Sequence, residues 1–158
     1  MFDDESLRIL QESKIFRYLS DDQIKMIATY IELLRFNNND IIIEEGQTGH
    51  PFYIIMKGQV EVFLPEKRED PTEERPARIT LKRLTQGDCI GEYSLIDNKP
   101  ASASVVAVEP CEVYKISREN FGKIISSSDN IEKVIYKNML MVLIKRAREY
   151  DKELDLCF

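Results

Sequence analysis

Histidine is almost absent from this chain of 158 residues, since His50 is the only one. With a single histidine, a histidine-ligated metal site or a Ser-His-Asp triad has little to be built from. No glycine-rich phosphate loop is present either. We therefore predict that the chain is not an enzyme and needs no metal or cofactor. His50 lies in QTGHPF, a turn-like stretch, where we expect a solvated side chain.

Cysteines are few and odd in number: Cys89, Cys111 and Cys157. Their wide spacing matches neither a disulfide framework nor the spacing of cysteines that bind a metal ion. We expect Cys89 and Cys111 to act as small apolar side chains in strands, and Cys157 to belong to a tail.

Long apolar runs and a positive charge balance are also lacking. No run approaches the roughly 18 apolar residues of a membrane span, and the start, MFDDESLRIL, lacks the pattern of a signal peptide. The net charge of −6 argues against non-specific nucleic-acid binding. We predict a cytoplasmic protein with no membrane span and no nucleic-acid partner.

The first part of the chain has helical periodicity. Residues 4–13 predict a short helix, and Ser20 with Gln23 forms the capping-box pattern of a second one. We assign 1–36 to N-terminal helices, which end at the turn-forming run FNNND.

Short β-branched segments separated by turn residues follow over 40–117, and this spacing predicts an all-β sandwich or barrel. Lys57 and Gly58 predict a hairpin turn between two strands. Residues 65–78 carry three prolines and nine charges and predict a solvated loop. Tyr53 is expected in the core.

Helical periodicity returns at 118–152, with a tail predicted over 153–158 and Asp129 as the cap of the long helix. The apolar stripe of this helix is wide: Ile131, Val134, Ile135, Met139, Leu140, Met141, Val142, Leu143 and Ile144. One face should pack on the β-core and the other on a partner helix. We predict a homodimer formed through residues 129–152.

Three stretches in order, EEGQTGHPFYIIMKGQVEV, LTQGDCIGE and PASASVVAVE, resemble the cyclic nucleotide-binding domain family. This is the β-jelly-roll type found in the catabolite activator protein and in protein kinase A regulatory subunits. The resemblance covers about residues 6–150 and implies one domain over 1–158: an antiparallel β-jelly-roll (double-stranded β-helix) barrel, mainly β, with N-terminal helices and a long C-terminal helix.

The resemblance also implies a ligand site for cAMP or cGMP in the segment IGEYSLIDNKPASAS. Its candidate residues are Gly91, Glu92, Tyr93, Ser94, Lys99, Pro100, Ala101, Ser102, Ala103 and Ser104. EYSLID is long enough for one helical turn, whose N-terminus offers free N–H groups to a phosphate.

The resemblance assigns individual roles within this segment. Glu92 would accept the ribose 2′-hydroxyl, and the backbone at Gly91 and Ser94 would line the sugar-phosphate. Ser102 would offer its N–H to the phosphate, and Ser104 would lie near the base. The family has an arginine after the proline that pairs with the phosphate, where this chain has Ala101.

Simpler interpretations stay open for several of these residues. Glu92 can be interpreted as a solvated carboxylate at a strand end. Ser102 and Ser104 can be interpreted as small residues packed under a tight turn. Lys99 fits either a solvated side chain or a cation that replaces the missing arginine.

Two functions remain. The first is a stand-alone regulatory cyclic nucleotide-binding-like module whose binding is weak or lost because of Ala101. The second is a ligand-independent dimerisation or interaction scaffold with an unidentified protein partner, or a sensor of a different small ligand. We also expect no helix-turn-helix after residue 152.

Overall fold

The computed structural model describes residues 2–68, 72 and 75–157, and for Cys157 the backbone alone. Its helices are α1 (Asp4–Glu12), α2 (Asp21–Ala28), α3 (Glu92–Asp97), α4 (Arg118–Ser126) and α5 (Asp129–Cys157). Its strands are β1 (Glu32–Phe36), β2 (Ile41–Ile43), β3 (Phe52–Lys57), β4 (Val60–Leu64), β5 (Ile79–Leu84), β6 (Cys89–Ile90), β7 (Ser104–Ala107) and β8 (Cys111–Ile116).

The strands form two four-stranded antiparallel sheets. Their orders are β1-β8-β3-β6 and β2-β7-β4-β5. The prediction of a mainly antiparallel β fold with N-terminal helices and a long C-terminal helix is confirmed. The described strands do not close into one barrel, because each pairs only within its own sheet.

Alternation along β3 explains how the sheets and helices pack. Tyr53 and Ile55 point into an apolar cluster between the two sheets. Phe52, Ile54 and Met56 point the other way, into a cluster shared with α1, α2, α4 and α5. The sheet containing β3 is therefore buried on both faces, which is why its sequence is almost continuously apolar. Tyr53 is a core residue, as predicted.

The hairpin predicted at Lys57 and Gly58 is wrong. β3 pairs with β6 and β8, whereas β4 pairs with β5 and β7, so the chain crosses from one sheet to the other at this turn. Gly58 has φ +90°, and a Cβ there would lie 2.5 Å from the Pro110 carbonyl oxygen. A crossover and a hairpin both need a glycine turn, so local sequence does not separate them.

Predicted boundaries differ at both ends of the chain. Residues 32–36, assigned to N-terminal helices, form β1, which pairs with β8 some eighty positions later. The tail predicted from 153 continues α5 to Cys157. The cap of α5 is Ser128 rather than Asp129, because the Ser128 hydroxyl accepts from the N–H of Ile131 at 3.3 Å.

Other local predictions are confirmed. Ser20 and Gln23 form both hydrogen bonds of the capping box at α2. Segment 65–78 joins the paired strands β4 and β5, with a bridge between Lys67 and Arg75. Its predicted solvation at 69–71 and 73–74, like the predicted role of the Cys157 side chain, lies outside the described residues. Within the described part, no helix is long and apolar enough to cross a membrane.

Candidate ligand-binding site

A cavity of about 800 Å³ opens between the two sheets and α5. Nine of the ten predicted site residues line it: Gly91, Glu92, Tyr93, Ser94, Lys99, Pro100, Ala101, Ser102 and Ala103. Ser104 does not line it, since its buried hydroxyl accepts from the N–H of Glu45 at 2.9 Å. Most of the remaining wall is apolar and comes from β2, β4 to β7 and α5. A sequence segment that is continuous in the chain therefore forms one side of a concave pocket.

The short helix α3 starts where β6 ends, and Gly91 makes this junction. Gly91 has φ +86°, and a Cβ there would lie 2.8 Å from the Pro51 carbonyl oxygen and 3.0 Å from His50 Nδ1. Only glycine fits both the positive φ and this close approach. The junction directs Glu92 and Ser94 inward, where both are buried.

His50 is not the solvated turn residue that the sequence predicted, because it is only 3% exposed. Its Nε2 lies 2.7 Å from the Ser94 hydroxyl oxygen. That hydroxyl also donates to the carbonyl of Lys99 at 2.9 Å, so it links His50 to the turn that follows α3. The pairing spans 44 positions and no local pattern announces it.

The turn carrying Ala101 is held by backbone bonds. The Ala101 N–H donates to the Gln47 carbonyl at 2.9 Å, and its own carbonyl accepts from Gly46 at 2.8 Å. Its methyl group packs, half-buried, against the cluster between the sheets. Lys99 and Ser102 are exposed. The turn thus contributes shape to the cavity, and its one cation, Lys99, stands at the solvent side.

Glu92 is 6% exposed, so the interpretation as a solvated carboxylate at a strand end is wrong. Its partner is Arg146 of α5, whose Nη1 donates to Glu92 Oε1 at 2.5 Å and to the Tyr93 hydroxyl oxygen at 2.5 Å. Burial of the Arg146 guanidinium opposes its charge, but Glu92 and Tyr93 outweigh this and raise the pKa of Arg146. The ion pair ties α5 to the start of α3.

Lys82 is the second cation that sequence reasoning missed. It lies on β5 opposite Val62, two positions before Leu84, and all three side chains line the cavity. Burial is the largest cause that lowers the pKa of Lys82, followed by repulsion from Arg146. Alternation from the buried Leu84 could have placed Lys82 inside, and helical spacing from Leu143 could have placed Arg146 beside it.

In the part of the chain that the structure describes, no three His, Cys, Asp or Glu side chains are grouped so that they could hold a metal ion. The thiols of Cys89 and Cys111 are free and buried, and burial raises the pKa of both.

Comparisons with known proteins agree with this geometry. The profile of the family described as "Cyclic nucleotide-binding domain" matches residues 33–128. A cGMP-dependent protein kinase of Caenorhabditis elegans is 33% identical over 128 residues, which make up 80% of this chain and 16% of the kinase. The crystal structure of the Thermus thermophilus catabolite activator protein has a TM-score of 0.75 at 28% identity, and the match covers 91% of this chain and 62% of that one.

A cyclic nucleotide-binding domain from Methylobacillus flagellatus has a TM-score of 0.78 at 26% identity, with 96% of this chain and 82% of that chain covered. The chain spans only 12–16% of three cGMP-dependent kinases that it matches, so it is similar to a small part of them. The family profile covers more than half of the chain, includes the crossover at Gly58 and contains the whole segment from Gly91 to Ser104. The chain therefore belongs to the cyclic nucleotide-binding domain family.

Proposed function

We propose that this chain is a regulatory rather than catalytic module that binds cAMP and cGMP weakly or not at all. The observation that carries the proposal is Ala101. The resemblance of its segment to the family motif aligns it with a phosphate-pairing arginine, and its methyl group packs against apolar side chains. Losing one partner of a desolvated charge pair costs about 2–5 kcal/mol, which is roughly a 30- to several-thousand-fold loss of affinity.

The surrounding shape supports the assignment to this ligand class. Glu92 lies at the start of α3 and lines the cavity, where it could accept a sugar hydroxyl. Lys99 and Ser102 are exposed on the same turn and could approach a phosphate from the solvent side. A flexible ammonium replaces a bidentate guanidinium poorly, so we expect Lys99 to recover little of the affinity.

The test is titration calorimetry of the wild-type chain and the Ala101→Arg variant with cAMP and cGMP. We expect the variant to bind at least 30-fold more tightly than the wild type, because the new guanidinium faces the cavity. Ala77→Arg, at an exposed alanine that does not line the cavity, is the matched control and should gain much less. Equal affinities of wild type and Ala101→Arg would contradict the proposal.

A second candidate function, a dimerisation scaffold, is favoured by the uncovered face of α5. Exposed side chains recur there with the spacing of a two-stranded coiled coil: Leu140, Leu143, Ala147, Tyr150 and Leu154. Leu140 and Leu154 are each 57% exposed. We infer that a second copy of this chain covers this face.

Light scattering at tens of micromolar should therefore give the mass of a dimer. Leu154→Arg should give a monomer, because it places a charge in the proposed seam. Leu156→Arg is the control, since Leu156 is 88% exposed but lies off the seam. A wild-type monomer at this concentration would refute the homodimer and leave a different protein as the partner of α5.

We also infer a cytoplasmic location. The free thiols of Cys89 and Cys111 support it, because unpaired cysteines are typical of reducing compartments.

A further inference from the structure

The cavity is lined by two cations that do not belong to the segment from Gly91 to Ser104. Lys82 projects from β5 and Arg146 from α5, and both line the same cavity. Arg146 is already bonded to Glu92. Among the described residues, no carboxylate forms an ion pair with Lys82. The charges of Arg146 and Glu92 nevertheless act on the Lys82 ammonium.

The balance of charge on this wall leaves one positive charge unmatched. Lys82 and Arg146 face one carboxylate, that of Glu92. Asp88 is also near enough to act on Lys82, but it is paired with Lys14. Asp97 and Lys99, which line the cavity at its rim, are exposed, of opposite sign and screened by solvent.

An unpaired ammonium in a largely apolar, half-buried position loses hydration without a compensating partner. A lysine at an inward position of a strand is therefore costly unless an anion joins it. A ligand with one negative charge would neutralise the net charge of this wall. It would also offset the repulsion between Lys82 and Arg146. Its hydroxyl groups could share Glu92 with Arg146, because a carboxylate accepts several hydrogen bonds.

We propose that Lys82 and Arg146 form the anion-binding site of this cavity, and that it takes the phosphate of a monoanionic cyclic nucleotide against β5 and α5 rather than against the turn at Ala101. The inference rests on the proposed function and deepens it. The turn keeps its shape with alanine at position 101, and the positive charge comes from β5 and α5. Weak nucleotide binding by the wild type then depends on Lys82.

Lys82→Met is the decisive variant, because it removes an unpaired cation and keeps the length of the side chain, so folding should be unharmed. Calorimetry or a thermal-shift titration with cAMP and cGMP, up to about 10 mM, should show a loss of about tenfold or more in affinity. Adenosine and guanosine, which lack the phosphate, should bind equally weakly to the variant and the wild type.

Arg83→Met is the matched control for net charge. Arg83 is the next residue on β5, is exposed, and interacts with Glu61 on the outer face. Nucleotide affinity should be unchanged, and Glu61 keeps Arg78 as a partner.

Each remaining outcome overturns the inference. Equal nucleotide affinity of Lys82→Met and the wild type would place the phosphate elsewhere, while the proposed weak binding would stand. Binding by Ala101→Arg together with no binding by the wild type at 10 mM would show that the cation pair does not serve as an anion site. Absence of binding in both would defeat the proposed nucleotide module as well.

Discussion

The two sides of the cavity are built in different ways. On the turn side, backbone groups define the surface: Ala101 exchanges hydrogen bonds with Gln47 and Gly46, and Ser94 fixes the carbonyl of Lys99. On the helix side, charged side chains define it, because Arg146 reaches Glu92 across 54 positions of the chain.

This difference shows that shape and charge have separate structural origins in this cavity. Backbone bonds maintain the turn whatever side chain stands at position 101, so the shape survives the presence of alanine. On the helix side, the position of the Arg146 charge depends on where α5 lies. Backbone hydrogen bonds hold the turn side in one shape. The positions of the charges on the helix side would change if α5 moved.

The most damaging way to break the turn side is Gly91→Ala. The new methyl group would lie 2.8 Å from a backbone carbonyl oxygen at a positive φ. We expect the free energy of unfolding to fall by about 3 kcal/mol, measured by urea denaturation.

Gly87→Ala is the control for the Gly91 prediction, because Gly87 has φ +84° but open space around it. It should show backbone strain alone, about 1 kcal/mol. Equal losses in the two variants would mean that the contact with Pro51 and His50 is not what restricts position 91.

On the helix side, the most damaging substitution is Arg146→Met, which leaves the carboxylate of Glu92 buried and unpaired. We expect a loss of about 2 kcal/mol in the free energy of unfolding, because the carboxylate of Glu92 is only 6% exposed and would keep its charge without a partner. Hydrogen exchange should also become faster in the last turns of α5, which lose this tether.

A double-mutant cycle sharpens the Arg146 prediction. Adding Glu92→Gln to Arg146→Met should recover part of the lost free energy of unfolding, since the amide leaves no buried charge without a partner. If the two losses simply added, the ion pair would not be what holds α5 against α3.

The smallest expected effect concerns Glu45, which lies on the turn side but faces away from the cavity. Its carboxylate makes two hydrogen bonds with Arg75, at 2.9 and 3.2 Å, and an ion pair with Lys67. Hydrogen bonding by Arg75 is the main cause that lowers the pKa of Glu45 below its usual 4.5. The resulting stabilisation is fully present above about pH 4.5 and is lost as the pH falls through the lower folded value.

Glu45→Gln should therefore be less stable than the wild type at pH 7, by about 1 kcal/mol, and the difference should shrink towards pH 3. Denaturation curves between pH 3 and 7 would measure it. Glu149→Gln, on the exposed part of α5, controls for the loss of one negative charge. A difference that stayed constant with pH would exclude the pairing of Glu45 as its source.

The sequence predicted the features that depend on neighbours along the chain. The capping box at Ser20, the short helix after Gly91 and the apolar stripe of α5 all follow from local spacing, and the family was recognised by the resemblance of three motifs. Nine of ten candidate site residues line one cavity because they form a single continuous segment. The exception, Ser104, lies where alternation along β7 turns its side chain away.

Other features depended on contacts between distant parts of the chain. β1 looked like part of a helical region because its partner, β8, is remote, and the crossover at Gly58 looked like a hairpin because both need the same turn. His50 looked solvated, and a solvated carboxylate remained one interpretation of Glu92, because their partners, Ser94 and Arg146, are 44 and 54 positions away.

The sequence by itself thus determined the family, the glycine-bounded turn and the absence of an arginine at position 101. Only the tertiary structure decided which charges share the cavity, because it brought β5 and α5 to the same wall. Side-chain charge acts through space over several ångströms, whereas sequence patterns report only the few positions on either side of a residue.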